Sequence, residues 1–156
     1  MLTAVSEEIR ANHVLLRSIV SEGFGGLAAD DVEVRVEPPR DRGLAFCGRA
    51  YAEPPARWRT TERTRYIVRL FVPRRLVARG YPRTYRYRDR STAPWITVQD
   101  WRERLLALAA HEACHIRQFR DGSRRSEIQA ERFALQTLTA WREPPEPAGQ
   151  LRLFVA

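Results

Sequence analysis

The chain has 156 residues, 44% of them hydrophobic, and a formal net charge of +8 in which all 27 basic residues are arginine. That length suits one domain able to bury roughly two thirds of the surface its unfolded chain exposes. The apolar run Leu105 to Ala110 is far short of a membrane span, and two cysteines without a C-x-x-C pair give no disulfide framework.

Leu2 to Ser21 reads as an amphipathic helix, with Val5, Ile9, Val14, Leu15, Ile19 and Val20 on one side and Glu7, Glu8, Arg10 and Arg17 opposite. Thr3 or Ser6 would cap it, and Gly23, Gly25 and Gly26 would end it. His13 within it reads as structural or solvated. The polar, acidic stretch after Met1 predicts no secretory signal, and with the unpaired cysteines it points to a reducing, cytoplasmic compartment. Val32 to Glu37 alternates apolar and charged, as a half-buried strand does, and Pro38-Pro39 stops it. Leu44 to Tyr51 is a second strand candidate, and Glu53 to Thr61 reads as a loop around Pro54-Pro55. Arg65 to Val72 is the strongest strand.

From Pro73 to Arg90 the chain carries seven arginines against one acid, Asp89. This segment reads as a loop or hairpin spanning about 73–95, with Thr84 to Arg88 a strand pairing back onto 65–72. Arginine interleaved with tyrosine suits nucleic acid or an acidic partner; a solvated edge strand is the plainer alternative. Thr97-Val98-Gln99-Asp100 resembles a capping box that opens a helix running to about Phe119 and ending at Asp121-Gly122. Ser123 or Ser126 would cap the next helix, which stops before Pro144-Pro145. An irregular tail over about 143–156 holds a last strand candidate at Leu151 to Val155.

The chemistry concentrates on these two helices. His111-Glu112-Ala113-Cys114-His115 puts two imidazoles one turn apart, where both can reach one Zn²⁺. The apolar stripe of that helix is Trp101, Leu105, Leu108, Ile116 and Phe119; Glu112 and His115 fall inside it and His111 at its edge. In the next helix Glu127 and Glu131, one turn apart, interrupt the apolar face of Ile128, Ala134, Leu135, Leu138 and Trp141. An unpaired carboxylate in an apolar face costs several kcal/mol, on the order expected for a buried charge. A metal ion and its water would offset that; pairing with arginine, with the histidines as ordinary core residues, is the alternative. Cys47 is a candidate third ligand beside Glu127.

His-Glu-x-x-His followed by Glu127-Ile128-Gln129-Ala130-Glu131-Arg132-Phe133-Ala134 resembles the gluzincin metallopeptidases, closest to the ImmA/IrrE-like and minigluzincin groups. The resemblance covers roughly residues 100–140. It implies an α+β, minimal zincin-like fold in one domain: an N-terminal helix, a small mixed or antiparallel sheet of three to four strands, then the motif helix and the glutamate helix. It implies zinc on His111, His115 and Glu127, Glu112 as catalytic base, and Glu131 supporting a ligand histidine. The activity implied is hydrolysis of a protein or peptide substrate by zinc-activated water, with an oxyanion donor among Tyr51, Tyr66, Tyr81, Tyr85 and Tyr87 and the substrate extended along the edge strand. A non-catalytic zinc-binding regulator and an arginine-rich nucleic-acid binder are the competing readings.

Overall fold

A computed structural model describes residues 13–27, 30–38, 46–73, 80–87 and 92–143. Within them the strand Tyr66–Phe71 (β3) is the middle of a three-stranded sheet. Val32–Glu37 (β1) runs parallel to it, in register from Val32↔Tyr66 to Glu37↔Phe71, and Cys47–Ala52 (β2) runs antiparallel on its other side. The period-2 pattern settles the faces. Val34, Val36, Val68 and Leu70 share one face with Gly48 and Ala50, while Glu33, Arg35, Glu37 and Arg69 share the other. On that outer face Arg35 pairs with Glu33 at 2.7 Å and Arg69 with Glu37. The segment after β2, including a 3₁₀ turn at Ala56–Trp58, folds over it, with the Thr60 hydroxyl donating to Glu33 at 2.6 Å.

The apolar face packs on the helix Trp101–Arg120 (α2), which lies between the sheet, the helix His13–Phe24 (α1) and the helix Glu127–Arg142 (α3). Because it has neighbours on several sides, α2 is buried from Leu105 through Ala113, more than the stripe its periodicity predicts; Trp101 and Phe119, assigned to that stripe, are only half-buried. Alanines at 107, 109, 110 and 113 keep it slim enough for that position. Asp100 caps α2 by accepting from the N–H groups of Arg102 and Glu103, and Glu103 bonds back to the Gln99 N–H at 2.6 Å. The cap thus stands three residues after Thr97, where the capping pattern placed it. Thr97 belongs instead to a short strand, Ile96–Val98 (β5).

The second sheet corrects a pairing. Arg83–Tyr85 (β4) pairs antiparallel with β5, through Tyr85↔Ile96 and Arg83↔Val98, and not with β3. Ile96 and Val98 are fully buried, so the hairpin anchors through β5 while Arg83 of β4 stays exposed. At the other end α2 closes with Gly122 at φ +63: Ser123 N–H bonds to Gln118 O at 2.8 Å and Gly122 N–H to Phe119 O at 3.2 Å. Ser126, not Ser123, caps α3 by accepting from Gln129 N–H.

Two boundaries move. The first helix continues through Gly23 to Phe24 and ends at Gly25 and Gly26, both with positive φ. Gly23 is inside the helix for a packing reason: a Cβ there would stand 2.7 Å from the Ala109 Cβ and 3.0 Å from the Leu106 carbonyl oxygen. The second strand begins at Cys47 and reaches Ala52. The expected helical start Leu2 to Asn12, residues 74–79 and 88–90 of the arginine-rich segment, the strand candidate Leu151 to Val155 and the His13 side chain lie outside the described residues. The chain is therefore α+β, with three α-helices and two small sheets among the described residues, and no described helix is long and apolar enough to cross a membrane.

Candidate metal centre

His111 and His115 stand one turn apart on the face of α2 that meets α3 and β2. Their rings lie edge to face, 4.8 Å between centroids at 83°. His115 is fully buried, His111 nearly so. Glu127, the first residue of α3, reaches between them. Nε2 of His111 and Nε2 of His115 are 3.1 Å apart, and Oε2 of Glu127 lies 3.2 Å from the first and 3.4 Å from the second.

The partners on the far side of each ring fix which nitrogen carries the proton. His115 Nδ1 faces Oε1 of Gln118 at 2.9 Å, and that oxygen also accepts the Ser126 N–H at 3.1 Å. The Gln118 amide nitrogen donates to Ser126 O and to Gln129 Oε1, so the oxygen is the end turned to the ring. His115 therefore donates from Nδ1, which leaves the Nε2 lone pair pointing inward. His111 Nδ1 likewise faces Oε1 of Glu131 at 3.2 Å. Neutral at Nε2, the two rings and Glu127 present three acceptors to one point. Such a triangle needs a proton or a cation.

Without a metal the proton supplies it. Burial works against the His111 cation, but the hydrogen bonds it donates to Glu127 and Glu131 outweigh burial and push it up to about 9. The His111 contact holds Glu127 down to about 2, and burial lowers His115 despite Gln118. The same triangle fits a cation. Ligands about 2.0–2.1 Å from a tetrahedral zinc stand about 3.3–3.4 Å apart, the edge of that tetrahedron. The three separations here are 3.1, 3.2 and 3.4 Å. Two imidazoles and a carboxylate are also a donor set that zinc accepts. His111, His115 and Glu127 are the group among the described residues whose ligand atoms converge in this way. Cys47 is not in it; the thiol is half-buried on β2 beside the cavity.

Glu112 stands next to this group at 2% exposure. Burial pushes its carboxyl up to about 7, with the His111 charge pulling the other way. The Ala50 N–H of β2 bonds to the carboxylate, while its Oε2 has no partner. Gly48 makes room for it: a Cβ at that position would lie 2.6 Å from Oε1 of Glu112. Glu131 also keeps one oxygen, Oε2, without a partner. A cavity of about 620 Å³ opens here between β2, β4, α2 and α3. Tyr51, Tyr85 and Tyr87 line it; Tyr66 and Tyr81 do not.

The sequence pattern passes over three residues in this arrangement, and two of them, Arg125 and Gly48, carry no signal that singles them out. Arg125 bonds through Nε to Oε1 of Glu127 at 2.9 Å and leaves Oε2 to the imidazoles. Gln118 orients His115, and Gly48 admits Glu112. Gln118 was findable as a polar residue seven positions after His111, on the same buried side of α2. Comparison with protein-family models, curated proteins and solved structures found no match.

Proposed function

We propose that the protein is a zinc-dependent metallopeptidase of gluzincin type, with a minimal zincin-like fold, acting on protein or peptide substrate. The observation that carries this reading is the convergence of two inward Nε2 lone pairs and the Glu127 carboxylate at zinc-like spacing, with an under-bonded carboxylate, Glu112, alongside. His111, His115 and Glu127 hold the metal, leaving a fourth position open. Bound zinc supplies Lewis acidity, bringing a water to a pKa of about 7 and polarising a carbonyl.

The remaining work falls to the chain. Glu112 takes a proton from the attacking water through its free oxygen and returns it to the departing amine. Burial raises its carboxyl well above the usual carboxylate range, which favours its taking up a proton. Glu131 and Gln118 hold the rings so that Nε2 faces inward, and Arg125 orients the third ligand. Among the described residues β2 is bonded to β3 on one side only; its other edge borders the cavity, where an extended segment adds as a further strand. Tyr51, Tyr85 and Tyr87 are the tyrosines near enough to steady an oxyanion.

Metal analysis of freshly purified protein, beside cleavage of an unfolded protein, tests this. One zinc per chain is expected, lost in His115→Ala, and Glu112→Gln should keep zinc while losing cleavage. Zinc without cleavage, unaltered by Glu112→Gln, would replace the peptidase with a zinc-binding regulator. Absence of zinc would remove both.

A further inference from the structure

The cavity has cations that the metal group does not use. Of Arg49, Arg104 and Arg125 in its lining, only Arg125 is committed, to Glu127. Neither Arg49 nor Arg104 joins any ion pair among the described residues. Arg49 is exposed and water solvates it. Arg104 is half-buried, and a desolvated charge without a counter-charge is costly. It is nevertheless held in place: its guanidinium carbon stands 4.0 Å over the Tyr85 ring, and Nη2 donates to the Phe46 carbonyl at 3.3 Å. A guanidinium stacked on an aromatic ring has its planar fork of N–H donors pre-set for a carboxylate. Of the cavity's own carboxylates, Glu127 and Glu131 contact His111 and Glu112 accepts from Ala50, and the remaining free oxygens of Glu112 and Glu131 stand beyond ion-pair distance of Arg104.

We propose that Arg104, braced by Tyr85, is a specificity-determining subsite for an acidic side chain of the substrate. This rests on the peptidase reading above. Its position gives the register. Arg104 precedes His111 by seven residues, two helical turns, so it shares that helix face about 10 Å away. β2 spans the same interval: Phe46, just before it, touches Arg104, and Gly48 and Ala50 meet Glu112. An extended chain lying along that edge advances about 3.3 Å per residue. The acidic residue therefore sits about three positions from the scissile bond. The substrate is a chain with an aspartate or glutamate at that distance from the cut.

Two readouts test the subsite. Cleavage sites in a digested unfolded protein should show acids enriched at one position about three residues from the cut. Arg104→Met should erase the enrichment, and Arg132→Met, an exposed arginine whose loss changes net charge equally, should keep it. Independently of hydrolysis, fluorescence anisotropy of the zinc-loaded Glu112→Gln protein compares labelled alanine–serine decapeptides carrying one glutamate or one glutamine. The glutamate peptide should bind about tenfold tighter, the scale of one charge-assisted contact. That margin should vanish when Arg104→Met is added, and Arg104→Glu should prefer a lysine peptide. Equal affinities, or a preference that survives Arg104→Met, would overturn the subsite. Cleavage without acid enrichment overturns it too and leaves the peptidase standing. No cleavage by the wild type, with glutamate still favoured in an Arg104-dependent way, does the reverse.

Discussion

Gly48 decides where Glu112 can stand. With any side chain at that position the strand would press on the carboxylate, since a Cβ would lie 2.6 Å from Oε1 and 2.8 Å from Cγ. Gly48→Ala is therefore expected to leave His111, His115 and Glu127 untouched and to displace Glu112, the base of the proposed reaction. A displacement near 1 Å lowers turnover about a hundredfold. Zinc content equal to wild type with kcat reduced on that scale is the expected result; unchanged kcat would mean that Glu112 moves freely. His111 yields a second expectation, with its sign set by the pKa. In the metal-free protein its imidazole is charged below about 9 and neutral above. A metal ligand must be neutral at Nε2, so binding expels that proton. At pH 7 calorimetric titration in buffers of different ionisation enthalpy should report release of about one proton per zinc. Affinity should climb as pH rises toward 9 and then flatten; no release at pH 7 would show His111 neutral beforehand.

Among the elements, α1 approaches α2 closely at Gly23, and that approach depends on a residue with poor helix propensity. Alanine is worth about 1 kcal/mol more than glycine in a helix interior. At Gly23 that gain is overridden, because the new methyl would meet the Ala109 Cβ at 2.7 Å and backbone behind it. Gly23→Ala should lower stability by about 1–3 kcal/mol, the usual cost of overpacking, measured as a fall in the urea midpoint at constant m. A rise would mean that α1 can slide outward. The sequence hid this because glycine reads first as a helix stop. It hid the β4–β5 pairing for a related reason. Arginine–tyrosine alternation from Thr84 marks a strand without naming its partner, and three residues at Ile96–Val98 are too few to compete with a capping pattern that overlaps them. By contrast Val32 to Glu37 declared both its extent and its faces, since every second residue there changes from apolar to charged.

For the molecule as a whole, the histidines, Glu127 and the order of elements around them were legible because each violates a simple expectation for an apolar face. The supports were not. Gln118, Arg125 and Gly48 are ordinary residues at ordinary positions, and only the packing of β2 and α3 on α2 gives them a task. A metal held by His111 and His115 of α2 and Glu127 of α3 would join two separate elements, so its binding would belong to the folded state. Zinc at a thousandfold excess over its dissociation constant adds about 4 kcal/mol. For a chain of this size that is a rise in melting temperature of roughly 10 °C. Thermal unfolding with and without zinc should show it, and His115→Ala should abolish it.

Gln118 connects this stabilisation to the placement of α3. One amide group meets the ring of His115, both backbone groups of Ser126 and the side chain of Gln129. The aim of a single imidazole is thereby wired to the first turn of another helix. Tilting α3 would pull on the Gln118 amide and turn the His115 ring with it even if the backbone of α2 stayed still, so the aim of that imidazole is set at the junction with Ser126, the residue before Glu127.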